Sequence, residues 1–289
     1  MGDDGVMEIR RPDGSVIAAE TAGPPGAAPV LLCHGLADSR LAAELFTEVA
    51  HELGLLIVVP DRPGAGRSDP RPLASVADWA PEAALIADEL GAGPVAVAGM
   101  SAGGPFAAAC AAALPGRFTS LTLISALGHP DWPTDGMAAG ERISLAVARR
   151  VPEFGGWFGG RLAALARLSP ELFMRLATSE LPAVDQRMLA RPDMREAFLV
   201  SYAEAFRQGT GAVAQDLRVL ARPWGFRLDS VQVPAFVHHG DADTTVPPQH
   251  ARRYADAIPG AQLHLHPGHG HFSITDAARQ ILAPLARQN

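Results

Sequence analysis

The feature that most restricts the fold of this chain is an alternation of two periodicities. Short runs that are apolar on both faces, at residues 30–33, 55–59, 95–98 and 121–124, are separated by segments of helical spacing at 41–53, 75–90 and 102–114. A strand that is apolar on both faces has to be covered on both, and parallel neighbours need a crossover long enough to hold a helix. The pattern predicts an α/β fold, a parallel sheet buried between helices. It resumes late in the chain, with strand-like runs at 235–238 and 262–266 and helical segments at 249–257 and 273–287. Ahead of it, runs at 7–10 and 16–20 flank Asp13 and Gly14, a dipeptide suited to the tight turn of an antiparallel hairpin.

Residues 129–223 break the alternation, with helical spacing but no strand-like run. They divide the chain into a first core segment (1–128), a helical insertion (129–223) and a second core segment (224–289). An insertion at this point would sit over the carboxyl ends of the strands, where ligands of open α/β sheets bind, and so reads as a cap. Its aromatic residues include Trp132, Phe154, Trp157, Phe158, Phe173, Phe198, Tyr202 and Phe206. Most are expected to form the small core of the cap, and a minority to line a pocket.

Composition excludes several functions. With 48% hydrophobic and 19% charged residues, a chain of 289 can bury one large core. A net charge of −7 and no basic block leave little to attract nucleic acid. No charged-then-apolar leader opens the sequence, and no apolar run is long enough to span a bilayer, so a cytoplasmic protein without a membrane partner is expected. Cys33 and Cys110 lie in apolar runs and read as buried thiols. All 24 basic residues are arginine, and without lysine there can be no Schiff base, no covalent pyridoxal phosphate and no Walker lysine.

Gly99, Met100, Ser101, Ala102 and Gly103 spell G-x-S-x-G between the strand-like run at 95–98 and the helical segment that follows. A strand turning directly into a helix strains its central residue, and flanking glycines remove the side chains that would clash. The turn would present the Ser101 hydroxyl at the sheet edge beside the unpaired N–H groups of a helix N-terminus. Ser101 is thus a candidate nucleophile, and tight strand-to-helix packing is the alternative reason for the glycines.

A hydroxyl needs a base, so a histidine and a carboxylate are required. Asp241 and Asp243 follow the run at 235–238, and His269 and His271 follow the run at 262–266. Either pair would reach the edge occupied by Ser101, in the chain order Ser, Asp, His. Asp131 is a further candidate acid. His264, His266, His269 and His271 lack an acid or cysteine at ligand spacing, so no metal site is expected.

Together these motifs, spread from about residue 29 to 275, resemble those of the α/β-hydrolase superfamily. Residues 240–247 are similar to its G-x-x-D…VP pattern, which implies Asp243 as the acid orienting the base and leaves Asp241 to cap a turn. Gly270-His271-Phe272 resembles its Gly-His-hydrophobic signature and implies His271 as the base, with His269 a neighbour. Cys33-His34-Gly35-Leu36 resembles its oxyanion loop. By that resemblance the N–H groups of Leu36 and Ala102 hold the oxyanion, and His34, Gly35, Gly99 and Gly103 support the loops. Residues 61–68, DRPGAGRS, resemble another family loop, read as a shaped turn rather than a phosphate cradle because no Gly-Lys-Ser follows.

The resemblance implies an eight-stranded, mostly parallel sheet, a helical cap after strand six and no cofactor. The activity it implies is a serine hydrolase acting on a carboxylic ester of a small, largely apolar molecule. Relatives with the same triad cleave C–C bonds, thioesters or lactones, or cyclise their substrates, and a non-catalytic small-molecule receptor is the alternative of another class. Serine at the elbow departs from epoxide hydrolases and haloalkane dehalogenases, which carry aspartate there. HGLADS departs from the HGGPG of proline iminopeptidases.

Overall fold

The computed structural model describes residues 6–91, 93 and 95–287, and the reading of the extreme N-terminus lies outside them. The strands are β1 (Met7–Arg10), β2 (Val16–Ala22), β3 (Ala28–Cys33), β4 (Leu55–Pro60), β5 (Val95–Met100), β6 (Phe118–Ile124), β7 (Ala235–Gly240) and β8 (Gln262–His266). They form one sheet in the order β1-β2-β4-β3-β5-β6-β7-β8. β2 is antiparallel to both β1 and β4, and every pairing from β4 through β8 is parallel. The expected eight-stranded, mostly parallel sheet is borne out. Interior strand β7 is buried at every position, whereas edge strand β8 alternates exposed and covered residues, as a half-solvated edge should.

α2 (Ala80–Glu89), α3 (Gly103–Ala113) and α10 (Pro248–Ala257) pack on one face of the sheet, and α1 (Thr47–Leu53) and α11 (Ala278–Leu282) on the other. The alanine-rich sequence of α3 leaves it buried along most of its length, close against β5 and β6. Three expected helices differ in form. Those at 41–53 and 75–90 begin as tighter 3-10 turns, Arg40–Phe46 and Val76–Trp79, before α1 and α2. Pro81 in the first turn of α2 favours a fresh start there. The terminal segment is a 3-10 turn at Ser273–Ala277 running into α11, which Pro284, unable to continue a helix, separates from a last 3-10 turn at Leu285–Arg287. β6 begins at Phe118 rather than 121, because polar Thr119 and Ser120 mask its start in the hydrophobic pattern.

Between β6 and β7 come α4 (Ala139–Arg150), α5 (Pro152–Leu168), α6 (Pro170–Ala177), α7 (Ala183–Leu189), α8 (Pro192–Ala205) and α9 (Gly211–Leu220). Among the described residues this stretch holds no strand. Phe173, Phe198, Tyr202 and Phe206 pack ring to ring within it. Phe154, Trp157 and Phe158 do otherwise: they cluster half-exposed on α5, in neither core nor pocket. The opposite face of α5 explains this, since its glycines press against α9 and Phe206. A Cβ at Gly156 would come within 2.7 Å of the Ala214 methyl, and one at Gly159 within 2.7 Å of the Phe206 ring.

Candidate active site

Because β3, β5, β7 and β8 run the same way, their carboxyl ends share one edge, with Cys33 beside Gly99 and Gly240 beside His266. Ser101 follows β5 at once and has a φ of +54°, a left-handed conformation that costs a non-glycine residue energy. It is held there by donation from its N–H to the Ile124 carbonyl (2.9 Å) and from the Leu127 N–H to its own carbonyl (2.9 Å). The elbow glycines are needed for close approach. A Cβ at Gly103 would lie 2.0 Å from the Cys33 carbonyl oxygen, and one at Gly99 would lie 2.4 Å from that of Gly103.

Three distant side chains meet at this edge. His271 Nε2 lies 3.0 Å from Ser101 Oγ, and His271 Nδ1 lies 2.8 Å from Asp243 Oδ2. A carboxylate only accepts, so Nδ1 carries the proton and Nε2 offers its lone pair to the Ser101 hydroxyl. Asp243 Oδ1 accepts from the N–H groups of Thr245 (2.9 Å) and Val246 (2.8 Å), which fixes the carboxylate in the turn after β7.

The electrostatics fit that arrangement. Burial alone would raise the Asp243 pKa, but the charge of His271 and hydrogen bonds from His239 and His271 hold it well below the usual carboxylate range. Burial likewise works against a proton on His271, yet Asp243 beside it, with Asp185 and Glu141 further away, outweighs that and keeps its pKa above 6.5. His239 was invisible to the motif reading. Fully buried on β7, it places Nε2 3.2 Å from Asp243 Oδ2 and 2.8 Å from the Val246 carbonyl, so Nε2 must carry hydrogen and donate to that turn.

Leu36 and Ala102 line the same cavity as Ser101, and among the described residues their backbone N–H groups meet no protein acceptor. The loop carrying Leu36 is braced from below. His34 is buried, with Nδ1 donating to the Gly35 carbonyl (2.9 Å) and its pKa pushed well below 6.5 by burial and by Arg62; it lies apart from the His271 contacts. Arg62 donates to the carbonyls of His34 and Gly35. Asp61 accepts from the Arg40 side chain and N–H and from the Arg67 N–H, and a Cβ at Gly66 would lie 2.1 Å from its carboxylate. That loop is therefore filled by its own acid, a shaped turn with no room for a phosphate. Asp131 is exposed, Asp241 caps the Gly268 N–H (2.7 Å), and His269 bonds the Pro267 carbonyl; none joins Ser101.

Above Ser101 is a cavity of about 270 Å³, roofed by α4, α7 and α8. Four methionines, Met100, Met137, Met188 and Met194, line it with Phe198 and Phe272. Methionine side chains adapt to ligands of varied outline. Besides His271 and the phenol of Tyr202, its ionisable lining consists of the carboxyl groups of Asp38 and Glu141, with no arginine among the described residues. Burial raises the pKa of both acids. Among the described residues no group of three His, Cys, Asp or Glu side chains could hold a metal ion, and no helix is long and apolar enough to cross a membrane. Cys33 and Cys110 are buried free thiols.

The sequence profile of the alpha/beta hydrolase fold family matches residues 28–278. Over 262 residues (90% of its length) the chain is 28% identical to the dihydrolipoyllysine-residue acetyltransferase component of the acetoin cleaving system of Pseudomonas putida, and it spans 62% of that protein. It is 26% identical over 254 residues to 2-hydroxy-6-oxo-2,4-heptadienoate hydrolase of Pseudomonas putida, covering 84% of this chain and 82% of that protein. A thermophilic esterase from Thermogutta terrifontis superposes with a TM-score of 0.68 at 25% identity, over 97% of this chain and 99% of that one.

Proposed function

The chain belongs to the α/β-hydrolase fold family, and from that premise we propose that it is a serine hydrolase cleaving a carboxylic ester of a small, apolar, uncharged molecule. One observation carries the reading: a serine hydroxyl aimed at a carboxylate-backed imidazole, beside two free amide donors. Ser101 Oγ attacks the ester carbonyl carbon as its proton passes to His271 Nε2. The oxyanion forms against the N–H groups of Leu36 and Ala102, each worth about 3–4 kcal/mol to the transition state. Collapse expels the alcohol, which takes the proton from the imidazolium. Water then gives a proton to Nε2 and attacks the acyl carbon, and the acid departs as Ser101 regains its hydrogen. The helices between β6 and β7 act as the cap that closes the cavity over this chemistry.

Similarity to the heptadienoate hydrolase favours a second reading, C–C bond cleavage. Its named substrate is a carboxylate, and a cavity holding Asp38 and Glu141 without an arginine is poorly suited to one. The ester reading fits the lining better. Ser101→Ala should lower turnover of p-nitrophenyl butyrate by about 10⁶-fold with an unchanged circular dichroism spectrum, and a fluorophosphonate probe should label the native protein at residue 101. Turnover retained by the variant overturns the reading, and a native protein that resists the probe points to a binding protein.

A further inference from the structure

Asp185 lies on α7, far in sequence from the core segments, and is fully buried. Its carboxylate gathers the loop that carries His271. Oδ2 accepts from the His271 backbone N–H (2.7 Å), and Oδ1 accepts from the Ser273 N–H (2.9 Å), the Ser273 hydroxyl (2.7 Å) and the Phe272 N–H (3.2 Å). The Ser273 hydroxyl in turn accepts from the Gly270 N–H (2.8 Å). A Cβ at Gly270 would sit 2.3 Å from Oδ2, so glycine is what lets the loop close over the acid.

Burying a carboxylate is costly unless it is fully hydrogen-bonded, and a neutral acceptor could tether this loop without that cost. A charge does something more for a neighbouring imidazole that becomes a cation during each turnover. The charged or titratable groups facing His271 are Asp243 from the turn after β7, Asp185 from α7 and Glu141 from α4, with Asp38 and Tyr202 of α8 lining the same cavity. Resting on the reading of His271 as the base, we propose that Asp185 is a positioning residue of the inserted helices: it fixes the loop that aims the imidazole at Ser101 and adds a second negative charge that favours the imidazolium. The readiness of the base then depends on α7 being docked.

Asp185→Asn tests both parts. Four donors point at this carboxylate, and an amide NH₂ would face one or more of them donor to donor. The expected result is a kcat lower by about tenfold or more with KM within about threefold, and an acid limb of kcat/KM displaced to lower pH. A limb and a kcat equal to those of the native protein overturn the proposal, whatever happens to thermal stability. A lower melting temperature with an unmoved limb also overturns it, because a purely structural tether leaves the limb in place. If the asparagine variant does not fold, Ser273→Ala tests the positioning part, since it removes part of the tether and keeps the charge: kcat reduced severalfold with KM within about threefold and an unmoved limb supports the proposal, and a native kcat or a displaced limb overturns it. Fluorophosphonate labelling of the native protein separates the two failures. An unlabelled Ser101 sinks the serine-hydrolase reading itself, while a labelled Ser101 with an unaltered Asp185→Asn limb sinks only the role of Asp185.

Discussion

Arg62 joins the loop after β3 to the inserted helices: its guanidinium donates to the His34 carbonyl at 2.6 Å and the Gly35 carbonyl at 2.7 Å, while Asp216 of α9 accepts from it at 2.7 and 2.9 Å. The guanidinium also lies over the Phe106 ring, 4.8 Å from its centroid. Leucine at this position would leave a buried carboxylate and two carbonyls without their donor. Arg62→Leu should lose about 3–5 kcal/mol of stability in denaturant titration, and kcat should fall as the Leu36 N–H drifts. A variant with native stability would contradict the brace.

With His271 as the proposed base, a pH dependence of turnover follows. Its pKa is held above 6.5, so the imidazole is cationic and unable to accept the Ser101 proton at lower pH. The acid limb of kcat/KM for a neutral ester should therefore have its midpoint above 6.5. A midpoint below that value would mean that burial, rather than Asp243, dominates.

Charge selection is the next expectation. Asp38 and Glu141 face the cavity, so an ester whose acyl chain ends in a carboxylate should be turned over at least about tenfold less efficiently than a neutral isostere. Comparing kcat/KM for p-nitrophenyl butyrate and the p-nitrophenyl hemisuccinate anion measures this. Glu141→Gln should narrow the gap, and equal efficiencies in the native protein would remove the argument against an anionic substrate.

Stability should fall in acid ahead of carboxylate titration. Burial pushes the pKa of His238 down to about 3, with His264 and His266 adding to the effect, and burial also lowers those of His34, His250 and His266. Each is neutral when folded and takes a proton near 6.5 when unfolded. The stability they contribute is complete above that pH and is lost as pH falls from 6.5 towards 3. His271, with its raised value, works in the opposite sense, as do the raised carboxyls of Asp38, Asp61 and Glu141, but the four lowered histidines begin to lose their stabilisation first, at 6.5. Denaturant midpoints should therefore be lower at pH 5 than at pH 7.5, and equal midpoints would refute it.

Much of this was legible in the sequence, and what was hidden has a common cause. The runs at 30–33, 95–98 and 235–238 disclosed the sheet because strands covered on both faces admit few polar residues. Ser101, Asp243 and His271 could be singled out because each follows a strand directly and sits in a short motif. His239, Asp185 and Asp216 could not. Their roles depend on partners 4, 86 and 154 positions away, respectively, which only the folded chain brings together. The half-exposed aromatics of α5 are hidden from the sequence for a similar reason, because the glycines on the opposite face of that helix pack against α9 and Phe206.

The clamps between the inserted helices and the loops beneath them bear on how this chain can diversify. Ser201 donates to Asp38, Glu204 pairs with Arg40 and Asp216 pairs with Arg62, so three side chains of α8 and α9 complete polar groups that belong to the other segments. Swapping residues 129–223 wholesale for a counterpart without an acid at this place would strip Arg62 of its partner and unfasten the loop next to Ser101. New specificities should therefore arise by single replacements along the cavity wall, with the clamping residues inherited as a set.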